Sequence, residues 1–197
     1  MSKYGRFNGN EDFILNGKAN GDNVVSFWCW AYSELDNNIV RSVLAEYIVA
    51  SALGITKEPG EEYRQMWRPY DLMYKNKRIE VKSASNVQTW NIVNKSKYTF
   101  RIAPAQLPDP DLGYIDGAPQ QRNCDLYIFS LFEPEDESMT PLNLDFWRFL
   151  VLSTRILDEM SPTQKTIGIS SLMKLNPVEC RYEGLKKAVD GISILTG

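Results

Sequence analysis

Apolar residues recur along the chain in patterns that predict a mixture of helices and strands. The clearest helix pattern covers residues 36–54, DNNIVRSVLAEYIVASALG, which begins with polar N-cap candidates and ends at Gly54, a typical C-terminal stop. Helical spacing predicts an apolar stripe made of Ile39, Val40, Val43, Leu44 and Tyr47. The preceding segment at 24–35, VVSFWCWAYSEL, fits either a helix or a strand, with its Trp and Phe side chains packed against the body of the domain.

Alternating and continuous apolar runs predict the strands. The predicted strands are 70–74, 78–83, a segment within 89–103 around YTFRIA, 124–132 and 147–156. The run CDLYIFSLF at 124–132 is nearly continuous in apolar residues, which indicates a strand buried on both faces. A short turn of helix at 170–175 and a closing helix at 182–192 complete the predicted elements.

No repeat or linker divides these elements. The pattern therefore predicts one α/β domain over residues 1–197, with a mixed central sheet flanked by helices. The first 22 residues are rich in Gly, Asn and charge, and we expect a loose N-terminal arm there. The segment 106–123 is dense in Pro, Gly and Asp, which predicts a long loop of the kind that is usually functional or mobile.

The composition restricts the chemistry that the chain can perform. The chain has 197 residues, a net charge of −3 and no histidine. The lack of histidine excludes Ser-His-Asp and Cys-His catalysis and histidine-based zinc sites. An enzyme of this composition would use carboxylates, lysine, arginine, tyrosine or a hard metal ion bound by oxygen. The slightly negative net charge does not indicate a nucleic-acid partner. A local basic groove or a bound metal ion can nevertheless attract nucleic acid to a protein whose net charge is negative.

The cysteines and the hydropathy pattern point to an intracellular protein. The three cysteines are far apart and odd in number, which does not suggest a disulfide framework. We expect Cys29 and Cys124 to be small core residues, and Trp28, Trp30 and Trp147 to be core aromatics. Without an apolar signal core or a membrane-spanning stretch, the sequence predicts a cytoplasmic location and no membrane partner.

The segment PYDLMYKNKRIEVKSAS at 69–85 predicts a hairpin with an unusually charged face. Side chains alternate along a strand, so Glu80 and Lys82 share one face. A two-residue turn places Asp71 opposite Glu80 or Lys82, depending on which two residues form it, and in both cases on their face. A three-residue turn places Asp71 opposite Val81 instead. The register of the hairpin therefore decides whether the three charged groups converge.

The trio of Asp71, Glu80 and Lys82 suits the hydrolysis of a phosphate ester. Two carboxylates can hold Mg²⁺ or Mn²⁺, which polarises a phosphoryl oxygen and lowers the pKa of a bound water. The lysine can orient that water or stabilise the charge that develops on phosphorus. Glu46 lies at the edge of the predicted helical stripe, where its carboxylate needs a partner. It either reaches this site or pairs with a cation such as Arg41, and helix geometry favours neither arrangement.

The order of these residues resembles the PD-(D/E)xK nuclease superfamily, also called restriction-endonuclease-like. The helix LAEYIVASALG, which contains Glu46, comes first, PYD with Asp71 follows, and EVK supplies Glu80 and Lys82 on the next strand. The proline of PYD stands one residue farther from the aspartate than in the family's motif. The motifs cover residues 36–90, and strand content alone extends the resemblance to the rest of the chain.

The resemblance implies an αβββαβ core and metal-dependent cleavage of DNA phosphodiester bonds, with Mg²⁺ or Mn²⁺ as cofactor. Under it, Asp71 and Glu80 become metal ligands, Lys82 becomes the catalytic lysine, and Glu46 becomes an accessory ligand or a contact to metal-bound water. Gln88 follows the lysine by six residues. Because a glutamine downstream of the motif recurs in several branches of the family, Gln88 is a candidate substrate-positioning residue.

Two arginines are further candidates for binding the substrate. Arg122 precedes a predicted buried strand, where it either contacts a phosphate or pairs with Asp125 to hold the strand end, and the second arrangement is slightly favoured. Arg101 is expected to face the same groove as the KSK segment at 95–97. Solvated turn lysines are the commoner explanation of such local basic density.

The sequence thus predicts a metal-dependent DNA nuclease. The alternative is a module of the same fold that binds nucleic acid or takes part in an assembly without turnover, which the acidic composition favours. A coincidental arrangement on an unrelated α/β fold is the third hypothesis. A homodimer is compatible with the nuclease hypothesis, because nucleases that cut both strands often pair subunits.

Overall fold

The computed structural model describes residues 6–58, 63–64, 68–86, 98–107, 116–136 and 138–193. Its strands are β1 (Asp12–Leu15), β2 (Lys18–Asn23), β3 (Leu72–Tyr74), β4 (Lys77–Ser85), β5 (Thr99–Arg101), β6 (Ala105–Gln106), β7 (Gln120–Gln121), β8 (Leu126–Phe132), β9 (Trp147–Ser153), β10 (Thr166–Gly168) and β11 (Val178–Cys180). Its helices are α1 (Val24–Tyr32), α2 (Asn38–Leu53), α3 (Thr154–Met160), α4 (Ile169–Met173) and α5 (Leu185–Gly191).

A five-stranded mixed sheet with the strand order β11-β9-β8-β4-β3 lies at the centre of the fold. β4 and β8 are parallel, whereas the other neighbouring strands are antiparallel. Between β4 and β8, the described part of the chain forms the short strands β5, β6 and β7. The predicted α/β class with a mixed central sheet is therefore confirmed.

Both faces of the sheet are covered. Leu126 and Ile128 of β8 join one core cluster with side chains of α2 and α5. Tyr127 and Phe129 point to the other face and join a second cluster with side chains of α3 and α4. Every residue of β8 is consequently buried, which explains its near-continuous apolar sequence and confirms the predicted buried strand.

The predicted long helix is α2, and its ends are set by local chemistry. The Asn37 side chain accepts a hydrogen bond of 3.0 Å from the Ile39 N–H at the N-terminus. Gly54 ends the helix in the left-handed region, with φ of 79°. These are the polar N-cap region and the C-terminal glycine expected from the sequence.

The predicted apolar stripe of α2 is wrong, because the helix buries a different face. Ile39 and Tyr47 are 78% and 61% exposed. The buried residues are Arg41, Ala45, Glu46, Ile48, Val49, Ala50 and Leu53. Apolar residues surround most of this helix, so periodicity could not choose between faces. The alanines permit close approach to the sheet, and packing against β3 and β4 makes that choice.

The N-terminal residues do not form a loose arm where the structure describes them. β1 and β2 pair in an antiparallel hairpin, and α1 follows directly. The Val25 N–H donates to the Gly9 carbonyl over 3.0 Å, which ties the start of α1 to the chain before the hairpin. The Asn23 side chain caps α1 in a capping box with Ser26, a local signal that favours the helix over the strand.

The side chains of α1 correct several predictions about the core. Trp28 and Trp30 are 38% and 86% exposed, and Cys29 is exposed as well, so none of the three is a core residue. Trp147 and Cys124 are buried as expected. A run of apolar residues predicts burial only when another element covers it, and no side chain of α1 is buried in the part of the chain that the structure describes.

Several element boundaries differ from the predictions. The strand expected over 147–156 ends at Ser153, where α3 begins. The closing helix is divided into a 3-10 turn at Tyr182–Gly184 and α5. The long loop at 106–123 is tied by the pairing of β6 with β7 at its two ends. Within the described ranges, no helix combines the length and apolar character needed to cross a bilayer.

The turn between β3 and β4 generates a prediction about stability. Lys75 and Asn76 both have positive φ, of 48° and 63°, as a two-residue hairpin turn of type I′ requires. Asn76→Val is expected to lower the free energy of unfolding by about 1–2 kcal/mol, because a β-branched residue resists this conformation. Asn76→Gly should keep it or raise it. Urea unfolding of both variants measures the difference, and equal stabilities would contradict the turn type.

Candidate active site

The hairpin of β3 and β4 adopts a register that brings the predicted charges together. Leu72 pairs with Ile79 and Tyr74 pairs with Lys77, around the two-residue turn. The regular pairing begins at Leu72, and Asp71 lies in the bend just before β3, where its N–H donates to the Ile79 carbonyl over 3.0 Å. The turn at Lys75 and Asn76 is one of the two turns that the predicted site requires, and the Asp71 carboxyl group lies close enough to Glu80 for the negative charge of Glu80 to raise its pKa.

The carboxylate of Asp71 is also held by β4. Its Oδ2 atom accepts a hydrogen bond of 2.8 Å from the Val81 N–H. Because Asp71 precedes the regular part of β3, its side chain can reach across to the backbone of the neighbouring strand. The residue is thus fixed by its main chain and by its side chain, half-buried at the sheet edge.

Glu80 and Lys82 form an ion pair beside Asp71. They are two residues apart on β4 and project from the same face, while Ile79 and Val81 are buried in the core on the other face. The Lys82 Nζ donates to the Glu80 Oε1. The side chains of Glu80 and Lys82 are 21% and 26% exposed, so both charged groups remain accessible to a ligand.

Glu46 is buried, and it has an arginine partner that the sequence analysis did not predict. The Arg64 guanidinium binds both carboxylate oxygens of Glu46, with Nη2 2.8 Å from Oε1 and Nε bonded to Oε2. Arg41, the alternative named from the sequence, instead donates to the Asp36 carbonyl over 2.6 Å and to the Asn38 side chain. A buried glutamate signals that some cation is needed, but only the path of the chain after α2 identifies Arg64.

Glu46, Arg64 and Asp71 line one cavity between α2 and the edge of the sheet. The cavity has a volume of about 170 Å³, and Tyr47 and Tyr63 contribute to its wall. Ala50, one turn after Glu46, also lines it, and its small side chain leaves room for the Glu46 carboxylate. The cavity therefore joins the acidic residue of the helix to the first acidic residue of the hairpin.

Asp71 is the residue of the site whose negative charge is disfavoured by its surroundings. Its pKa is raised from 3.8 to about 7, chiefly because burial disfavours the charged form, and further because Glu80 and Glu46 are negative. The Val81 N–H and the Lys82 ammonium oppose this shift. A half-buried carboxylate next to two others is a typical feature of functional sites, since it opposes folding unless a cation compensates it.

The donor chemistry of the site fits a hard divalent cation. Among the described residues, no group of three His, Cys, Asp or Glu side chains is arranged to hold one metal ion. Asp71 and Glu80 offer carboxylate oxygens, the ligands that Mg²⁺ and Mn²⁺ prefer. The Glu46 carboxylate does not offer a free oxygen to the cation, because Arg64 binds both of its oxygens. The residues present thus fit a cation held by two carboxylates.

The three predicted substrate-binding residues have different positions. Gln88 lies outside the described residues, as does the KSK segment at 95–97. Arg101 is exposed on β5. Arg122 is fully buried, and its Nε and Nη1 atoms donate to the Ile102 carbonyl and to Asp158 over 2.8 and 2.5 Å. Because its guanidinium is enclosed, the prediction that Arg122 contacts a phosphate is wrong.

Asp125 does not pair with Arg122, which corrects the other predicted arrangement. Its carboxylate accepts from the Arg78 guanidinium over 2.7 Å and from the Arg78 N–H over 2.8 Å. These bonds lower the pKa of Asp125, although burial works against them. They join the start of β4 to the start of β8, so Asp125 and Arg78 hold the strand ends as a structural pair.

Comparisons with known proteins do not assign the chain to a family. No family model matches it, and no match was found among the curated proteins or the solved structures. The function is therefore inferred from the geometry of the site.

The raised pKa of Asp71 predicts an unusual effect of removing its charge. A carboxyl group whose pKa rises on folding stabilises the protein at low pH and loses that contribution between about pH 4 and pH 7. In metal-free buffer at about pH 8, Asp71→Asn should therefore raise the free energy of unfolding by on the order of 2 kcal/mol, with little effect near pH 4. Urea unfolding across this pH range measures the change.

Asp125→Asn is the matched control for this prediction. Because the pKa of Asp125 is lowered, its charge stabilises the folded protein, and the substitution should destabilise it at neutral pH. If Asp71→Asn also destabilised the protein at neutral and alkaline pH, the electrostatic description of the site would be refuted.

Proposed function

We propose that this protein is a metal-dependent nuclease that hydrolyses phosphodiester bonds in DNA. The observation that carries the proposal is the arrangement of the hairpin, which leaves the Asp71 carboxylate bonded to the Val81 N–H beside Glu80 and leaves Lys82 bonded to Glu80. Two carboxylates and an ammonium, half-buried on one edge of a sheet, form a compact set of groups for phosphoryl chemistry. Mg²⁺ or Mn²⁺ is the cofactor that these oxygen donors would take.

In this proposal Asp71 and Glu80 hold the cation. When bound, such a cation supplies Lewis-acid polarisation of a phosphoryl oxygen and lowers the pKa of a bound water. The Val81 N–H keeps the Asp71 carboxylate oriented toward β4. The Asp71 side chain is therefore already ordered before the cation binds. Glu80 carries a second contact, to Lys82, which sets the distance between the ligand pair and the ammonium.

Lys82 is the catalytic lysine of the proposal. Its Nζ atom carries three protons, of which the ion pair with Glu80 uses one. The remaining donors can bind a non-bridging phosphate oxygen, where negative charge increases as water attacks phosphorus and the bond to the leaving oxygen breaks. Glu46 is an accessory group in this site, and its pairing with Arg64 sets the charge on the α2 side of the cavity.

The restriction-endonuclease-like fold is part of the proposal. It is supported by a helix, α2, that carries an inward acidic residue and is followed by the hairpin β3–β4 with its charged edge. It is also supported by β8, which lies parallel to β4 in the same mixed sheet. These features follow the order expected for the αβββαβ core up to the strand that carries the lysine.

A second function is favoured by the way in which the acidic groups are already paired. Glu46 is neutralised by Arg64 and Glu80 by Lys82, and the chain has a net charge of −3. Such pairs could serve a module that binds nucleic acid or takes part in an assembly without catalysis. The two functions differ in whether a divalent cation binds and in whether Lys82 is needed for turnover.

The nuclease proposal predicts that Lys82→Ala slows cleavage strongly without unfolding the protein. With supercoiled plasmid DNA and Mg²⁺ or Mn²⁺, the variant should cleave at least about a hundredfold more slowly than wild type. The reason is that the donor that stabilises the negative charge developing on the phosphate is lost. Circular dichroism and thermal unfolding check that the fold is kept. Lys174→Ala, which changes an exposed lysine at the end of α4, is the matched control and should cleave like wild type.

Cleavage that persists at the wild-type rate in Lys82→Ala would refute the role of the lysine. Wild-type protein that retains DNA on a filter or in a gel shift but cleaves none with either metal would support the binding module instead.

Binding of the cation by Asp71 and Glu80 predicts a metal-dependent gain in stability. Millimolar Mn²⁺ should stabilise the wild-type protein by about 2 kcal/mol, a shift of a few degrees in the midpoint of thermal unfolding. Glu80→Gln should lose most of this shift. Glu159→Gln, which alters an exposed carboxylate on α3, should retain it. A shift that is equal in all three proteins would place the metal elsewhere.

A further inference from the structure

The ion pair of Glu46 and Arg64 lies in the same cavity as Asp71, one of the two proposed cation ligands. The Glu46 side chain is 9% exposed, whereas that of Arg64 is 39% exposed. A buried carboxylate needs a cation close by, and Arg64 supplies one. Because this cation lies beside Asp71, it also takes part in the electrostatics of the candidate site.

The Arg64 guanidinium binds Glu46 through both carboxylate oxygens. Nη2 donates to Oε1 over 2.8 Å, and Nε donates to Oε2. Two parallel bonds from a planar group that is always charged form one of the strongest contacts between a cation and a carboxylate. A metal cation that approaches Glu46 therefore meets the positive charge of Arg64 at both oxygens.

Arg64 also interacts with the charge of Asp71. The pKa of Arg64 is raised, chiefly by its hydrogen bonds to Glu46 and further by the negative charges of Glu46 and Asp71, although burial opposes the shift. When all groups are ionised, the carboxylates of Glu46, Asp71 and Glu80 face two cations, Arg64 and Lys82. One negative charge is left over, and a single divalent cation more than compensates it. The charges of the site therefore suit one divalent cation and not two.

The number of carboxylate ligands decides how many positions around a cation stay open. Mg²⁺ is usually held in proteins by one or two carboxylates, and it keeps several waters. With Asp71 and Glu80 as ligands, positions remain for a water and for a phosphate oxygen, both of which the proposed hydrolysis needs. A third carboxylate, from Glu46, would take one of these positions and would add a negative charge that repels the phosphate.

We propose that Arg64 is a positioning residue that keeps Glu46 away from the cation, so that the site holds one divalent cation through Asp71 and Glu80 alone. The inference rests on the proposed function, because it concerns the same cation. It adds a role for Arg64 and makes Glu46 the partner of that arginine instead of a third ligand. Removal of the Arg64 guanidinium should consequently turn Glu46 into a cation ligand.

Isothermal titration calorimetry of the full chain with MnCl₂, in the absence of DNA, tests the proposal without any measurement of cleavage. Wild-type protein should bind one Mn²⁺ ion. Arg64→Ala should bind Mn²⁺ about tenfold more tightly, because a positive charge is removed and the Glu46 carboxylate becomes free. Arg155→Ala removes an exposed cation that pairs with Glu159 on α3. It is the matched control and should bind Mn²⁺ like wild type.

A double-mutant cycle separates ligation by Glu46 from a general effect of charge. Glu46→Gln should weaken Mn²⁺ binding less than about fivefold when Arg64 is present, and roughly thirtyfold or more in the Arg64→Ala background, where Glu46 has become a ligand. Glu80→Gln, which removes a proposed ligand, should weaken binding by roughly thirtyfold or more in both backgrounds. Equal effects of Glu46→Gln in the two backgrounds would mean that Arg64 acts through its charge alone, and the proposal would be wrong.

Arg64→Lys keeps the proposal testable if thermal unfolding shows that Arg64→Ala does not fold. Lysine keeps the charge but offers a single ammonium in place of the planar guanidinium, so Glu46→Gln should weaken Mn²⁺ binding more in Arg64→Lys than in wild type. A wild-type protein that binds no Mn²⁺ would contradict the proposed function itself. Wild-type binding that Glu46→Gln and Glu80→Gln weaken equally would overturn the role of Arg64 and leave the nuclease proposal standing.

Discussion

Two hydrogen bonds between Asp71 and β4, one donated and one accepted by Asp71, hold the candidate site together. The Asp71 N–H donates to the Ile79 carbonyl, and the Asp71 carboxylate accepts the Val81 N–H. Ile79 and Val81 flank Glu80 in the chain, so these contacts fix the Asp71 carboxylate beside Glu80. A slip of one residue in this register would reverse the faces of the strand and present an apolar side chain to Asp71. The two-residue turn at 75–76 therefore determines the chemistry of the hairpin as well as its shape.

Negative charge at this edge of the sheet opposes folding, and the fold compensates it unequally. Glu46 receives a bidentate arginine and Glu80 receives a lysine. Asp71 receives one backbone N–H, and its pKa remains raised. A site selected only for stability would be expected to neutralise this carboxylate or replace it. A carboxyl group with a raised pKa beside two other acids is the feature on which the proposed cation-binding role depends.

The N-terminal segment has a related imbalance, with apolar surface in place of charge. α1 is well capped but has no buried side chain among the described residues, whereas β8, which is no more apolar, is buried on both faces. The difference lies in the neighbours of each element and not in the elements themselves. Among the residues that the structure describes, the acidic edge thus carries a carboxyl group with a raised pKa, and α1 carries apolar surface that is exposed to solvent.

Much of the fold was predictable because it depends on local signals. The caps at Asn37 and Gly54 set the ends of α2, the apolar run identified β8, and the alternation of side chains placed Glu80 and Lys82 on one face. Which face of α2 is buried, and that Arg64 rather than Arg41 pairs with Glu46, were decided by tertiary structure. The physical reason is that burial and ion pairing depend on which segments meet in space, and a periodic pattern in one segment does not contain that information.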